Sequence, residues 1–353
     1  MVAGAGLFTP LDLRELHISN RLWLSPMCQY SAVDGVVGDW HLAHLGDRAS
    51  GGWGLLSTEA TAVSPEGRIT RADAGIWTDV QRDAWARIVD FVHSRGAPIA
   101  LQLAHAGRKA SLPVPWTRRP GVLSGTEGGW RPLSATDAAF PGLATPRRAD
   151  GEDLSRIVAE YANAARRGVE AGFDAIDVLA GHGFLIHSFL SPLVNDRDDD
   201  YADRARLLEE VVVAIRASIP AQVPLLLRVS SRDWVPGGLT DDDTAEIVAR
   251  IAPLGVDLVS ASSGGLLPAD IPIEPGYQVS GAARIRERTS IPTAAVGLIT
   301  DAAHADRLIR LRAADAVQVG RAALRDPYFA LRAAHELGAD VGWQPQYERG
   351  AWA

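Results

Sequence analysis

Residues 175–187 read AIDVLAGHGFLIH, a mostly apolar run that stops at a glycine-flanked histidine, His182, with a second histidine, His187, five residues later. A short apolar run bounded by glycine predicts a strand buried on both faces, because a half-exposed strand alternates apolar and polar residues. A histidine at the tip of such a strand is placed for catalysis or for holding a ligand. Seven similar runs occur along the chain: LWLSP at 22–26, GLLSTEA at 54–60, PIALQLA at 98–104, PLLLRVS at 224–230, VDLVSASS at 256–263, PTAAVG at 292–297 and DAVQVG at 315–320. Helical patterns lie between them. After Asp79, Trp85, Ile88, Val89 and Val92 recur at helical spacing up to Gly96, and after Asp153 the residues Leu154, Ile157, Val158, Tyr161, Ala165 and Val169 repeat the pattern up to Gly172. Thr240 with Asp243, and Thr300 with Asp301, read as further helix starts. Eight strands, each followed by a helix, imply an α/β fold: a closed (β/α)8 TIM barrel rather than an open doubly wound sheet, in a single domain over 1–353.

Composition narrows the function. A length of 353 residues and 47% hydrophobic content suit one barrel with an ordinary core. A net charge of −8 argues against non-specific binding to nucleic acid or anionic membranes. The single cysteine, Cys28, excludes an intrachain disulfide framework and fits a reducing compartment. No basic-then-apolar leader and no run of the ~20 apolar residues needed to span a bilayer is found, so a cytoplasmic protein is expected.

Two segments break the rhythm. Residues 111–150, after the third strand, are rich in Pro, Gly, Trp and Arg, and a loop that long in a compact domain is expected to be a lid or binding loop. The terminal WQPQYERGAWA, residues 343–353, has the aromatic and arginine content of an interface tail.

Functional groups in such a barrel sit at the C-terminal ends of the strands. Those ends hold Ser25, Pro26, Met27, Cys28 and Tyr30; Glu59 and Ala60; Gln102, His105, Arg108 and Lys109; Leu179, His182 and Phe184; Arg228; Ser262, Ser263 and Gly264; Gly297; and Gly320 with Arg321. The last two ends suggest a phosphate site, because glycines admit close backbone approach and arginine binds phosphate bidentately. Pairing of Arg321 with Asp326 is the alternative. Gln102 and Arg228, polar at the tips of buried strands, need partners, and a planar heterocycle with carbonyl oxygens and ring nitrogens supplies them. No GxGxxG fingerprint follows any strand, so an isoalloxazine with one phosphate fits better than a dinucleotide. His41 and His44 in HLAH lack a third ligand at suitable spacing and read as structural, so no metal site is expected.

The motifs LSPMCQY, TEATAVSPEGR, LQLAHAGRKAS, HGFLIHSFLSP, VGRAALRDP and QYERG together resemble the Old Yellow Enzyme family of FMN-dependent ene-reductases, most closely its bacterial thermophilic-like branch. The resemblance spans essentially the whole chain. It implies FMN as cofactor and NADPH or NADH as reductant. It further implies that Ser25, Pro26, Met27, Cys28, Ala60, Gln102, Arg228, Gly264, Gly297, Gly320 and Arg321 contact the flavin, with Cys28 tuning its redox behaviour and Arg228 near N1. Tyr30 corresponds to a tyrosine lining the substrate pocket, and Arg349 to an arginine reaching a neighbouring subunit's site. A homodimer or homotetramer is thereby implied.

The chain departs from that pattern where the substrate is held. Two hydrogen-bond donors and a tyrosine acid are usual there, but the corresponding positions read Leu179, His182 and Phe184. One donor and the acid are lost, which leaves Tyr30 and His182 as proton sources. Loss of one such donor costs about 10²–10³ in rate, and loss of the acid about 10²–10⁴. A desaturase, aromatising or tailoring oxidoreductase on a bulky apolar substrate, or a flavin-binding protein without turnover, are the alternatives to ene-reduction. A second departure is NDRDDDYADR at 195–204, which lacks a Gly-Gly-Ser turn and leaves that loop's structure open.

Overall fold

The computed structural model describes residues 6–352; residues 1–5 and Ala353, the last residue of the expected tail, lie outside the described residues. Eight parallel strands form the barrel: β1 Leu22–Leu24, β2 Leu56–Ser57, β3 Ile99–Ala104, β4 Ala175–Ala180, β5 Leu225–Ser230, β6 Leu258–Ser262, β7 Thr293–Ala295 and β8 Ala316–Val319. Each pairs with its neighbour in the order β1-β8-β7-β6-β5-β4-β3-β2. Closure between β1 and β2 comes from two amide–carbonyl bonds, Gly54 to Leu22 and Leu24 to Leu55, each 2.9 Å. All eight strands fall within the runs read from the sequence.

The helices of eight or more residues are α1 Asp39–Ala49, α2 Asp79–His93, α3 Gly151–Glu170, α4 Arg206–Ser218, α5 Asp241–Ile251, α6 Val279–Thr289, α7 Ala302–Arg310 and α8 Phe329–Glu336. Local chemistry sets several of their ends. Thr78 caps α2 by accepting the Gln81 amide, Thr240 caps α5 by accepting from Asp243, and Asp301 caps α7 by accepting from His304. Gly96 and Gly172, at φ +80° and +94°, turn the chain back after α2 and α3.

Because side chains alternate across a strand, each strand serves two environments. Ile176, Val178 and Ala180 of β4 face outward into the apolar sleeve between strands and helices. Ala175 faces inward, onto a floor with Trp23, Leu55, Ala100, Leu226 and Leu258. An N-terminal hairpin, Leu11–Leu13 with Leu16–Ile18, covers that floor from below. The barrel bottom is therefore closed by hydrocarbon, and the inward rows above it are free to carry chemistry.

The long loop is more structured than its sequence pattern implies. Leu133–Ser134 pairs in parallel with Arg147–Arg148, and Leu133 and Ala135 are buried. The Trp130 indole donates to the Glu66 carbonyl at 2.9 Å. The shortened 195–204 segment is also tied down. The Asn195 amide donates to the Phe189 and Tyr201 carbonyls at 2.8 and 2.9 Å, and the Tyr201 hydroxyl donates to Glu210 at 2.9 Å.

Candidate active site

Two residues above the floor, period-2 alternation points the next inward row into the barrel: Gln102, Asp177, Arg228, Ser260 and Gln318, all buried. The Gln102 amide donates to Asp177 at 2.6 Å, and the Arg228 guanidinium donates to the Ser25 hydroxyl at 3.1 Å. Burial pushes the Asp177 carboxyl up to about 6, opposed by the Gln102 hydrogen bond and the Arg228 charge. Three buried polar atoms of this row, Arg228 Nε, Asp177 Oδ1 and Gln318 Oε1, make no hydrogen bond within the chain. Each such atom costs about 1–3 kcal/mol unless something pairs with it. A flat, polar-edged ring entering from the mouth pairs with such atoms, so the residues present fit an isoalloxazine.

Beside this row lies a cavity of about 190 Å³, lined by Met27, Ser262, Gln278, Gly297, Gly320 and Arg321 among others. Gly297 has φ +123°, and a Cβ there would lie 3.2 Å from both Tyr277 and Gln278. Arg321 is exposed at the start of a single turn, Arg321–Arg325. It is not taken by Asp326, whose carboxylate pairs instead with Arg332 at 2.8 Å. The chemistry of this corner suits a phosphate.

The mouth is built on three loops. After β1, Pro26, Met27, Cys28 and Tyr30 are half-buried, and Cys28 packs on Ala60, Ala104 and Leu179. The loop is held from behind by Glu59, which accepts the Gln29 amide at 2.8 Å and pairs with buried His41 at 3.1 Å. His41 is thereby engaged with Glu59 behind the loop. Burial, then the nearby Asp73 and Glu59 carboxylates, push the Cys28 thiol far up, so it is a neutral thiol. Burial first, and then Cys28 and Asp73, push the Tyr30 phenol up, and Tyr30 packs with Cys28 against Ile69, Ala106 and Ala110.

After β4, His182 sits at φ +58°, a left-handed conformation uncommon for non-glycine residues. Its amide donates to Ser230 Oγ at 2.9 Å, its Nε2 lies 2.8 Å from Ser262 Oγ, and its carbonyl accepts from Lys109 Nζ at 2.9 Å. Burial, with the charges of Arg228 and Lys109, holds its pKa well below the ordinary histidine value, so the ring is neutral. Leu179 is buried, level with Arg228 in the β4–β5 register, and packs with Ala60, Ala104, Cys28 and Phe184. Phe184 stands edge-on to His182 with ring centroids 6.4 Å apart. Ile69, Leu112 and Trp130 extend this apolar wall, and Trp116 of the long loop meets Tyr30 edge-on at 6.0 Å.

Barrel geometry thus brings together Ser25, Met27, Cys28, Tyr30, Ala60, Gln102, Leu179, His182, Phe184, Arg228, Gly297, Gly320 and Arg321. Gly264 is beside them, but its amide donates to Arg232 and its carbonyl accepts from Ser230, so its polar groups are spent internally. Arg349 is elsewhere: the tail's hydrogen bonds and ring contacts go to Arg95, Tyr328 and His335. His187 is buried against Asp233 at 3.0 Å and is structural. Sequence reasoning did not single out Asp177 or Gln318. A lone polar residue at the middle inward position of an apolar strand was the available signal. No helix among the described residues is long and apolar enough to cross a membrane.

Comparison with known proteins agrees with this geometry. The profile of the NADH:flavin oxidoreductase / NADH oxidase family matches residues 6–340. An NADPH dehydrogenase of Bacillus subtilis (strain 168) is 41% identical over 350 residues, covering 98% of each chain. The structure of morphinone reductase superposes with a TM-score of 0.81 at 28% identity, covering 97% of this chain and 92% of that one. Its complex with tetrahydroNAD gives 0.78 at 27%, covering 98% and 96%. A profile match over nearly the whole chain, a relative of this identity and the same barrel leave one conclusion: the chain belongs to the NADH:flavin oxidoreductase / NADH oxidase family.

Proposed function

We propose that this chain is an FMN-dependent, NAD(P)H-reduced ene-reductase in which one side chain, His182, receives the acceptor oxygen of the alkene. The relative named NADPH dehydrogenase and the neighbour solved with tetrahydroNAD support a nicotinamide reductant. The observation that carries the finer reading is the mouth itself. His182 is neutral and fixed by hydrogen bonds at its amide, its ring and its carbonyl, while Leu179 and Phe184 beside it offer no polar atom.

In this reading Gln102 and Arg228 would hold the polar edge of the flavin, with Asp177 behind them as counter-charge. Ser25, Pro26, Met27, Cys28, Ala60 and Gly264 would flank the ring, and Gly297, Gly320 and Arg321 would hold the phosphate. FMN bound here would supply the hydride chemistry that links the nicotinamide to the β-carbon of an activated C=C bond. His182 supplies one N–H to the carbonyl or nitro oxygen, and its immobilised backbone keeps that donor preorganised. Cys28, held as a thiol against Tyr30, adds polarisable bulk without adding charge. Leu179, Phe184, Ile69 and Trp130 exclude water and select for apolar shape around the acceptor group. The long loop, through Trp116 on Tyr30, closes the outer edge as a lid. Arg349 acts on a neighbouring copy's site within a homo-oligomer, since it lies apart from its own.

The test is anaerobic. Purified protein is to be yellow, with about one FMN per chain, reduced by NADPH or NADH and reoxidised by an activated alkene with formation of the saturated product. Colourless protein that cannot be reconstituted with FMN refutes the reading. Reduction of the oxidised flavin by a saturated compound, with no enone able to reoxidise it, reverses the direction in favour of a desaturase.

A further inference from the structure

The chain contains 34 arginines and one lysine, and that lysine, Lys109, stands at the active-site mouth. It follows β3 in a single turn, Gly107–Lys109. Its Nζ donates to the His182 carbonyl at 2.9 Å and to the Gly265 carbonyl at 2.8 Å. Two aromatic rings flank the ammonium, Phe184 with its centroid 5.8 Å away and Phe140 of the long loop at 4.8 Å. Two of its three N–H bonds are thereby used, and no acceptor among the described residues takes the third.

Clamping carbonyls does not by itself require a lysine. Arginine does this work elsewhere in the molecule: Arg108 donates to Leu266 at 2.7 Å, Arg48 to His44 and Ala323 at 2.6 and 2.9 Å, and Arg197 to Ala149 at 2.8 Å. What lysine has and arginine lacks is a proton that leaves at accessible pH. The other candidate donors at the mouth are poorly placed to give one. The Tyr30 hydroxyl is made a weaker acid by burial and by Cys28 and Asp73, and the Cys28 thiol is weakened likewise by burial and by Asp73 and Glu59. His182 is held neutral and its Nε2 is engaged with Ser262. Phe184 has no acidic group.

We propose that Lys109 is the proton donor of the alkene reduction, standing in for a hydroxyl at position 184. The inference rests on the ene-reductase reading above. As hydride arrives at the β-carbon, the π pair of the C=C bond takes a proton from Lys109 Nζ. A C–H bond forms at the α-carbon, one N–H bond breaks, and the neutral amine recovers its proton from solvent. The nicotinamide remains the reductant. Burial, and to a lesser extent the neighbouring Arg108 charge, bring the ammonium down to about 8, which suits a donor working near neutral pH. The groups around it are Arg108 on its own turn and His182 after β4; the loop after β6 presents a carbonyl and the long loop a ring.

A single lysine makes the test clean, because holoenzyme labelled with [15N]lysine carries one Nζ. That signal should titrate with a midpoint near 8. The single-turnover rate of reduced enzyme with an enone should fall about tenfold per pH unit above that midpoint, while reduction by NADPH does not follow the same limb. Lys109→Arg keeps the charge and the carbonyl bonds; it should abolish the limb and slow reoxidation by about 10²–10⁴. Adding Phe184→Tyr to that variant should recover at least tenfold without restoring the limb. Wild-type reoxidation in Lys109→Arg, or an unchanged limb, overturns the assignment, as does an Nζ that fails to titrate between pH 7 and 9. If no alkene reoxidises the wild type at any pH, the ene-reductase reading falls and this one falls with it.

Discussion

Replacing Leu179 by histidine returns a second nitrogen donor to the mouth, and its effect can be worked from the packing. Leu179 occupies the inward row above Asp177 and faces Ala60, Ala104, Cys28 and Phe184, three of them small enough to admit an imidazole ring. It lies level with Arg228, whose charge favours a neutral imidazole at that position. A neutral ring there adds one donor beside His182. A single preorganised donor changes rate by about 10²–10³, or about 2.7–4 kcal/mol of transition-state stabilisation. The variant loses apolar burial worth about 1.5–3 kcal/mol, so some loss of thermal stability is expected alongside the gain in rate. The assay is anaerobic stopped-flow mixing of NADPH-reduced Leu179→His with a simple cyclic enone. FMN content and the rate of reduction by NADPH serve as controls for an intact site. Reoxidation should accelerate by two orders of magnitude or more. If both controls match the wild type and reoxidation changes less than threefold, the placement of Leu179 over the reacting group is wrong.

Two further outcomes follow. Arg228→Met removes the counter-charge of Asp177 and the bond to Ser25, and should lower FMN affinity by at least tenfold in reconstitution titrations, since the flavin's polar edge would lose its cation. Cys28, although half-buried and not fully enclosed, should alkylate slowly with iodoacetamide up to pH 9, because burial, Asp73 and Glu59 keep it a thiol; a rate typical of a free cysteine at pH 8 would contradict that.

The barrel was legible because each strand is an apolar run of about the right length, and closure follows from eight of them. Helix starts marked by Thr240 and Asp301 were equally readable, since a cap is a local event. Helices α4 and α6 lacked such marks: Ala205 and Gln278, which precede them, make no side-chain cap. The mouth was legible where a strand end carried a conspicuous residue, as with His182 or Arg228. What the chain order conceals is which inward side chains share a layer. Asp177 meets Gln102 only because β3 and β4 pair in register, and Ser262 meets His182 across 80 positions. The strand-end position singles out Lys109, but nothing local in GRK shows that its Nζ reaches the His182 carbonyl. The 111–150 segment lacked periodicity, yet it buries Leu133 and anchors Trp130 through pairings with no local signature.

The central claim is that reduced flavin passes hydride to an alkene held by His182 alone. The measurement that tests it most directly is the single-turnover reoxidation rate of NADPH-reduced holoenzyme by an activated alkene, compared between wild type and His182→Ala. The account predicts a fall of about 10²–10³ in the variant, with FMN content and the rate of reduction by NADPH preserved. Equal reoxidation rates in the two proteins would contradict it.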